Sequence, residues 1–281
     1  MNILNKILQP FAINARNQWR HLVKRFDTRT LTKEQFVGLL DSLGVVSGVV
    51  VMMHSSMDHI LSRVPELDAM TLIRLIQSKV GAEGTVLMPT FPFMGYQREY
   101  VLNHRTFNVK TTPSKVGLLT EVFRRCPDVS RSLHPTHPVA TWGKYADELI
   151  SEHHLGSAFG ENSPFYKMRE LNGLFVGLGV PPITFTLNHV AEELHPITYN
   201  YNYDNTIIRM EVISDDMRFD YDVNILRTDR HRNYWPAINI LKSENILRHE
   251  RHHGLEVCCV SVKEFLERSV GIIESGQFQK Y

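Results

Sequence analysis

The sequence predicts a layered α/β fold in which a mixed β-sheet is flanked by helices, built as a single domain over residues 30–281. Three observations predict it. Apolar runs of strand length, VVSGVVVMM, GTVLMPTF and GLFVGLG, are continuous rather than alternating, which marks strands buried on both faces. Segments of helical periodicity stand between these runs, so strand and helix alternate along the chain. Beyond residue 200 the texture changes to TIIRMEVI and RFDYDVNIL, two alternating strands expected to pair antiparallel and join the sheet.

In chain order, residues 1–29 form a basic amphipathic extension: Lys6, Arg16, Arg20, Lys24 and Arg25 are unopposed by carboxylates through residue 26, while Leu4, Ile7, Leu8, Phe11, Trp19, Leu22 and Phe26 recur at helical spacing. Such a segment is a candidate to pack on its own domain or on a second subunit, forming a homo-oligomer; transit peptides and membrane-surface helices share the pattern. Thr32 and Gln35 then make a capping-box pattern, and KEQFVGLLDSLG runs as a helix to Gly44. The first strand, VVSGVVVMM, ends at HSSM, and helical periodicity leads from there to the strand GTVLMPTF. Helix SKVGLLTEVFRRC, strand HPVATWG, helix YADELISEHH, strand GLFVGLG and helix TLNHVAEELH follow. After the antiparallel pair come a helix around Trp235 to Leu241 and a last strand and helix from Leu255 to Ile273.

Composition narrows the function. With 31 Lys and Arg against 30 Asp and Glu, no global field selects nucleic acid, so the partner must be read from local sites. Three cysteines, Cys126, Cys258 and Cys259, lack both a disulfide framework and zinc-site pairing. No apolar run reaches the roughly 20 residues of a membrane span, and no signal-peptide pattern is present, so a cytoplasmic location is expected.

Four stretches carry chemistry. Thr186, His189, Glu192 and Glu193 fall at spacings that share a helix face, so a carboxylate can fix one ring nitrogen of His189 and leave the other as a general base. The alternative is a polar stripe on a solvated helix. In HSSM, Ser55 and Ser56 end a strand before a helix, offering hydroxyls and N–H groups to an anion, or simply capping the helix. RSLHPTHPVATWG gathers Arg131, Ser132, His134 and His137; a metal reading lacks a third ligand, and the prolines favour an extended chain. In FGENSPF, Ser163 caps a helix that starts at Pro164. RHERHHG and RTDRHRNYW read as solvated loops with a weak excess of positive charge.

Taken in order, HSS at 54–56, GTVLMPT at 84–90, RSLHPTHPVATWG at 131–143, FGENSP at 159–164 and TLNHVAE at 186–192 resemble the aminoglycoside 3-N-acetyltransferase family over roughly residues 30–275. The resemblance implies an antibiotic N-acetyltransferase-like α/β fold and transfer of an acetyl or short acyl group from acyl-CoA to a primary amine, without a metal. It implies His189 as catalytic base with Glu192 beside it, and Thr186 is a further catalytic candidate as oxyanion donor. It places His54, Ser55, Ser56, Arg131, Ser132 and His134 on the coenzyme side, and His137, Glu193, Arg227, Arg230 and Arg232 are assigned to the acceptor. Where many relatives carry a serine, this chain has Pro138.

Residues 223–253 are rich in Arg and His, whereas a polycationic antibiotic wants carboxylates. The expected acceptor is therefore an amino sugar attached to a nucleotide diphosphate, with an aminoglycoside as the alternative. A zinc hydrolase using His134, His137 and His189, or a non-catalytic coenzyme A binder, would be readings of other classes.

Overall fold

The computed structural model describes residues 29–196, 198, 203–215, 217–228 and 233–278. The basic N-terminal segment through residue 28, and Arg230 and Arg232, lie outside the described residues.

The chain begins with α1 (Lys33–Ser42), whose capping box is formed: Thr32 Oγ1 accepts from the Gln35 amide, and the Gln35 side chain accepts from the Thr32 amide. β1 (Val50–Ser55) follows, later than the apolar run suggests, because Gly48 adopts φ +83 and turns the chain before the strand can start. Next come α2 (Met57–Leu61), α3 (Ala69–Val80), β2 (Thr85–Pro89), α4 (Gln97–Asn103), β3 (Thr106–Asn108) and α5 (Leu118–Phe123). The middle of the chain holds β4 (Ser130–Arg131), β5 (Val139–Gly143), α6 (Ala146–Ile150), α7 (Pro164–Lys167), β6 (Leu174–Leu178) and α8 (Leu187–Leu194). The last third holds β7 (Tyr203–Ile213), β8 (Arg218–Leu226), α9 (Trp235–Ser243), β9 (Leu247–His252), β10 (Leu255–Ser261) and α10 (Val262–Glu274).

Among the described residues, seven strands form a mixed sheet in the order β4-β5-β2-β1-β6-β10-β9. β1 lies at its centre and runs parallel to β2 and β6, while β5 and β10 run antiparallel to their inner neighbours. Alternation across β1 builds two cores: Val50 and Met52 pack with Phe175, Phe185 and α8, α9 and α10 on one face, and Val51 and Met53 pack with α1, α3 and α5 on the other. Each such side chain, fully buried, contributes about 1.5–3 kcal/mol.

Two expectations are corrected. The antiparallel pair β7 and β8 does not extend this sheet; with β3, parallel to β7, it makes a separate three-stranded sheet that packs on α4 through Tyr100, Val101, Met210 and Val212. RHERHHG is not a solvated loop. It supplies β9, the edge strand, where Arg251 faces Glu256 across the β10 ladder and charged side chains keep the edge soluble.

The sheet's polarity positions the site. The C-terminal ends of β1, β2 and β6 meet on one edge of the sheet, and the antiparallel β5 starts there because Pro89 pairs with Val139. This is where α/β sheets open a crevice.

Candidate active site

Off that edge lies a cleft of about 720 Å³. Phe91 and Phe93 reach it from the exit of β2, Ile183 to Thr186 from the exit of β6, and His137 from the start of β5. Gly117 closes one wall at φ +146, a conformation that suits glycine, and a Cβ there would stand 4.0 Å from the Ser55 carbonyl oxygen at the end of β1. The wall is largely apolar, with Phe91, Phe93, Tyr96, Phe159 and Phe185 among its members and His189, His137, Lys115 and Arg227 as its ionisable members of basic type.

His189 is held by α8. Leu187, Val190 and Ala191 bury one face of that helix, which fixes the direction in which His189 projects. Its Nδ1 lies 2.9 Å from Glu192 Oε2, with the imidazole one-third exposed and the carboxylate nearly sealed. The Tyr234 hydroxyl stands 3.2 Å from the same nitrogen, and the ring packs on Phe159 with centroids 5.1 Å apart. A carboxylate accepts, so Nδ1 carries the proton and Nε2 keeps its lone pair for the cleft that the ring lines. The His189 and Glu192 of the sequence reading are thus brought together at hydrogen-bond distance.

Behind the cleft the histidines are used differently. His134 Nδ1 accepts the amides of Thr136 and His137, at 3.3 and 3.1 Å. Its Nε2–H therefore donates to the Tyr221 hydroxyl at 3.0 Å, which donates to the Gly156 carbonyl at 2.5 Å. His153 accepts the Ser132 hydroxyl at Nδ1 and donates from Nε2 to the Ala158 carbonyl, at 2.9 and 3.0 Å. Burial dominates both: it lowers His153 to about 3 and His134 well below the ordinary imidazole range, so both are neutral. Their fixed tautomers tie Gly156 and Ala158 in place, and the next residue, Phe159, is the one His189 packs on.

Arg131 also works behind the wall. Its guanidinium donates to Thr90 Oγ1 and to the carbonyls of Thr90, Val109 and Thr112, at 2.6–2.9 Å. Burial lowers it to about 9, and all of these contacts hold the exit of β2 and the segment after β3. Arg131, Ser132 and His134 do not line the cleft, and neither do Ser55 and Ser56. Ser56 occupies the N-cap of α2 without a side-chain cap, and its N–H already donates to the Leu178 carbonyl at 3.0 Å, so that donor is spent. His54 is buried between Phe175 and Phe185, held down to about 4 by burial, with Nε2 3.4 Å from the Thr186 hydroxyl. Thr186 lines the cleft.

Glu193 is not on the cleft wall. It accepts the Ser157 and Tyr203 hydroxyls, and burial raises its carboxyl to about 7. It anchors the same loop that carries Phe159. Of the basic stretch 223–253, Arg227 reaches the cleft, whereas Arg248 and Arg251 lie on β9, where they meet Glu250 and Glu256. That stretch is not one acceptor-facing surface, because β9 sits at the far edge of the sheet. Among the described residues no group of three His, Cys, Asp or Glu is placed to hold a metal ion, and both ring nitrogens of His134 are already engaged. No helix of the described residues is long and apolar enough to cross a membrane.

The sequence reading missed Tyr234, Phe159, His153 and Tyr221. Each reaches at least one partner across 21 or more residues of chain, His153 to Ser132, Phe159 and Tyr234 to His189, and Tyr221 to His134, so no local spacing could announce these contacts.

Comparison with known proteins gives a consistent answer. A profile of the aminoglycoside 3-N-acetyltransferase family matches residues 52–274. Aminoglycoside N(3)-acetyltransferase IV from Salmonella sp is 28% identical over 192 residues, 66% of this chain and 69% of the relative. Aminoglycoside N(3)-acetyltransferase III from Salmonella sp is 32% identical over 185 residues, 59% of this chain; the match spans 62% of that relative's length. A solved structure, "AAC-IIIb binary with CoASH", superimposes with a TM-score of 0.73 at 20% identity, covering 90% of this chain and 99% of that one, a likeness of fold.

Proposed function

Because this chain belongs to the aminoglycoside 3-N-acetyltransferase family, we propose that it transfers an acetyl group from acetyl-CoA to a primary amine of an aminoglycoside-type acceptor, with His189 as general base. The observation that carries the reading is the 2.9 Å contact of His189 Nδ1 with the buried Glu192 carboxylate on the wall of the cleft. A protonated amine is no nucleophile, so transfer requires a neutral amine and a base for the proton it sheds on attack. His189 Nε2 is that base, and Glu192 fixes the tautomer and balances the imidazolium that forms. Acetyl-CoA supplies the activated acyl group as a thioester.

On the coenzyme side we place the pantetheine arm along the wall where Gly117 meets the end of β1, next to Ser55 and Ser56. The largely apolar lining suits that uncharged arm. Arg131, Ser132 and His134 support this wall from behind rather than contact ligand. No cysteine lines the cleft to carry an acyl group, which favours direct transfer.

The family match backs the antibiotic-type acceptor over the nucleotide-linked amino sugar suggested by the basic stretch. One observation keeps the second reading in play: the lining carries Lys115 and Arg227 and, among the described residues, no Asp or Glu. A polycation would meet repulsion there, and a diphosphate would meet charge-assisted hydrogen bonds. Release of the coenzyme A thiol should be followed with acetyl-CoA and two acceptor panels, aminoglycosides and nucleotide-linked amino sugars. Turnover of the first panel and not the second is expected; the reverse would replace the acceptor, and turnover of neither would remove the proposed activity.

A further inference from the structure

We propose that His137 is a second catalytic residue, whose Nε2–H donates the hydrogen bond that holds the thioester carbonyl oxygen and stabilises the oxyanion formed on it. The inference rests on the acetyl-transfer reading above.

His137 is 4% exposed, yet it lines the cleft. Its Nδ1 lies 2.9 Å from the Thr136 hydroxyl. That hydroxyl has one proton to give, and its other neighbour, His134 Nδ1 at 3.5 Å, already accepts two backbone amides. The proton therefore goes to His137 Nδ1, and the neutral ring carries its own proton on Nε2. Among the described residues Nε2 has no hydrogen-bond partner, and it is not among the polar atoms sealed from solvent. A buried side chain thus presents one unused donor to the cleft.

The donor is also rigid. The ring is wedged among Phe91, Phe93 and Phe159, with centroids 4.7, 5.4 and 4.7 Å away, and His189 packs on the same Phe159 with centroids 5.1 Å apart. Base and donor therefore line one cleft and share a contact with Phe159, and a preorganised donor in an apolar wall is the arrangement that stabilises developing charge. Burial, with His189 and His153 nearby, holds His137 well below the ordinary imidazole range, so it stays a neutral donor when its neighbour becomes cationic. The competing donors are less available. The amides of Asn188 and His189 in the first turn of α8 already bond to Phe185 and Thr186, and the Thr186 hydroxyl lies beside His54.

In the step, the amine nitrogen bonds to the thioester carbon while the carbonyl π pair moves onto oxygen, and His189 Nε2 takes the proton the nitrogen sheds. The oxygen pair then returns, the C–S bond breaks, and the leaving thiolate takes the proton from His189. His137 keeps its proton throughout.

Two measurements test this. Long-range 1H–15N spectra of the wild-type protein, with His137 assigned by loss of its signals in H137Q, should show a neutral Nε2–H tautomer from about pH 6 to 8; an Nδ1–H tautomer would overturn the proposal. In transfer assays, His137→Leu should lower kcat roughly 100- to 1000-fold while the KM for acetyl-CoA stays within about threefold. His137→Gln, whose amide nitrogen lies near the position of Nε2, should recover at least about tenfold of that loss. Wild-type activity in H137L, or equal losses in both variants, would overturn the assignment. A wild-type protein that acetylates no amine would instead remove the transfer reading, and the tautomer would still decide the state of His137.

Discussion

His189 and the His134/His153 pair are the same side chain in two environments about one loop, and they are bonded in opposite ways. His189 sits on a helix at the cleft wall, with a carboxylate on one nitrogen and open space at the other. His134 and His153 are sealed, have no carboxylate partner, and spend both nitrogens on hydroxyls, amides and carbonyls. Burial without a counter-charge drives an imidazole to its neutral form, where it serves as a rigid bidentate connector. A buried anion on one side only leaves a proton acceptor. Partner and exposure, not residue type, separate the proposed base from the architectural histidines.

Removing the base breaks the comparison most severely. His189→Ala is expected to lower kcat roughly 100- to 10,000-fold, with coenzyme A binding nearly intact by calorimetry, because the proposed role of the ring is to take the acceptor's proton. Transfer within tenfold of wild type would mean that the cleft does not use this imidazole. Glu192→Gln comes next. It leaves an acceptor oxygen for Nδ1–H but removes the charge that balances the imidazolium, and a hydrogen bond to a charged group is worth about 1.5–3 kcal/mol, or roughly 10- to 150-fold in kcat. A loss equal to that of H189A would assign Glu192 a larger part than orienting the ring.

On the architectural side, Tyr221→Phe removes the hydroxyl that links His134 Nε2–H to the Gly156 carbonyl. The buried His134 ring N–H and the half-buried Gly156 carbonyl then lose their partner, at a cost of about 1–3 kcal/mol in denaturant unfolding, with kcat reduced less than in E192Q. A large kcat loss with unchanged stability would show that the histidine cluster acts on the chemistry and not only on the loop.

These contrasts were partly legible in the sequence. The buried strands announced themselves as apolar runs, and His189 and Glu192 fall three residues apart on one helix, so their contact is a local consequence of 3.6 residues per turn. His134, Ser132 and Arg131 were visible as a polar cluster, but their destination behind the wall was not, because their partners Tyr221, His153, Thr90 and Thr112 come from 19 to 87 residues away. β9 was hidden for another reason. An edge strand can carry charge on alternate positions, and RHERHH has the composition of a loop until Glu256 on β10 is placed opposite. The separation of β7 and β8 into their own sheet depends on β3, a three-residue strand far too short to read from pattern.

Glu193 gives the comparison a pH axis. Its carboxyl is raised to about 7 from an ordinary 4.5, chiefly by burial. The folded state therefore holds a proton that the unfolded state releases, so this contribution to stability is full below about pH 4.5 and declines as pH rises through about 7. Thermal unfolding of wild type and Glu193→Gln should differ in slope between those values, with the wild type losing stability relative to the variant toward alkaline pH. Parallel curves would mean that the Ser157 and Tyr203 hydroxyls hold the ionised form at no cost.

The smallest effect belongs to a third kind of histidine. His249 on β9 places Nε2 2.8 Å from Glu256 Oε1, so it has a carboxylate partner as close as that of His189, but it lies at the edge of the sheet and lines no part of the cleft. If a carboxylate partner alone made an imidazole catalytic, His249 would qualify. If an opening onto the cleft is also required, it is only a partly exposed ion pair, whose worth is typically about 0–1 kcal/mol. His249→Ala should therefore shift the unfolding free energy by no more than about 1 kcal/mol and leave kcat and both KM values within about twofold of wild type. A tenfold fall in kcat from this variant would show that the edge strand communicates with the cleft, and the distinction between His189 and the other histidines would then have to be redrawn around β9.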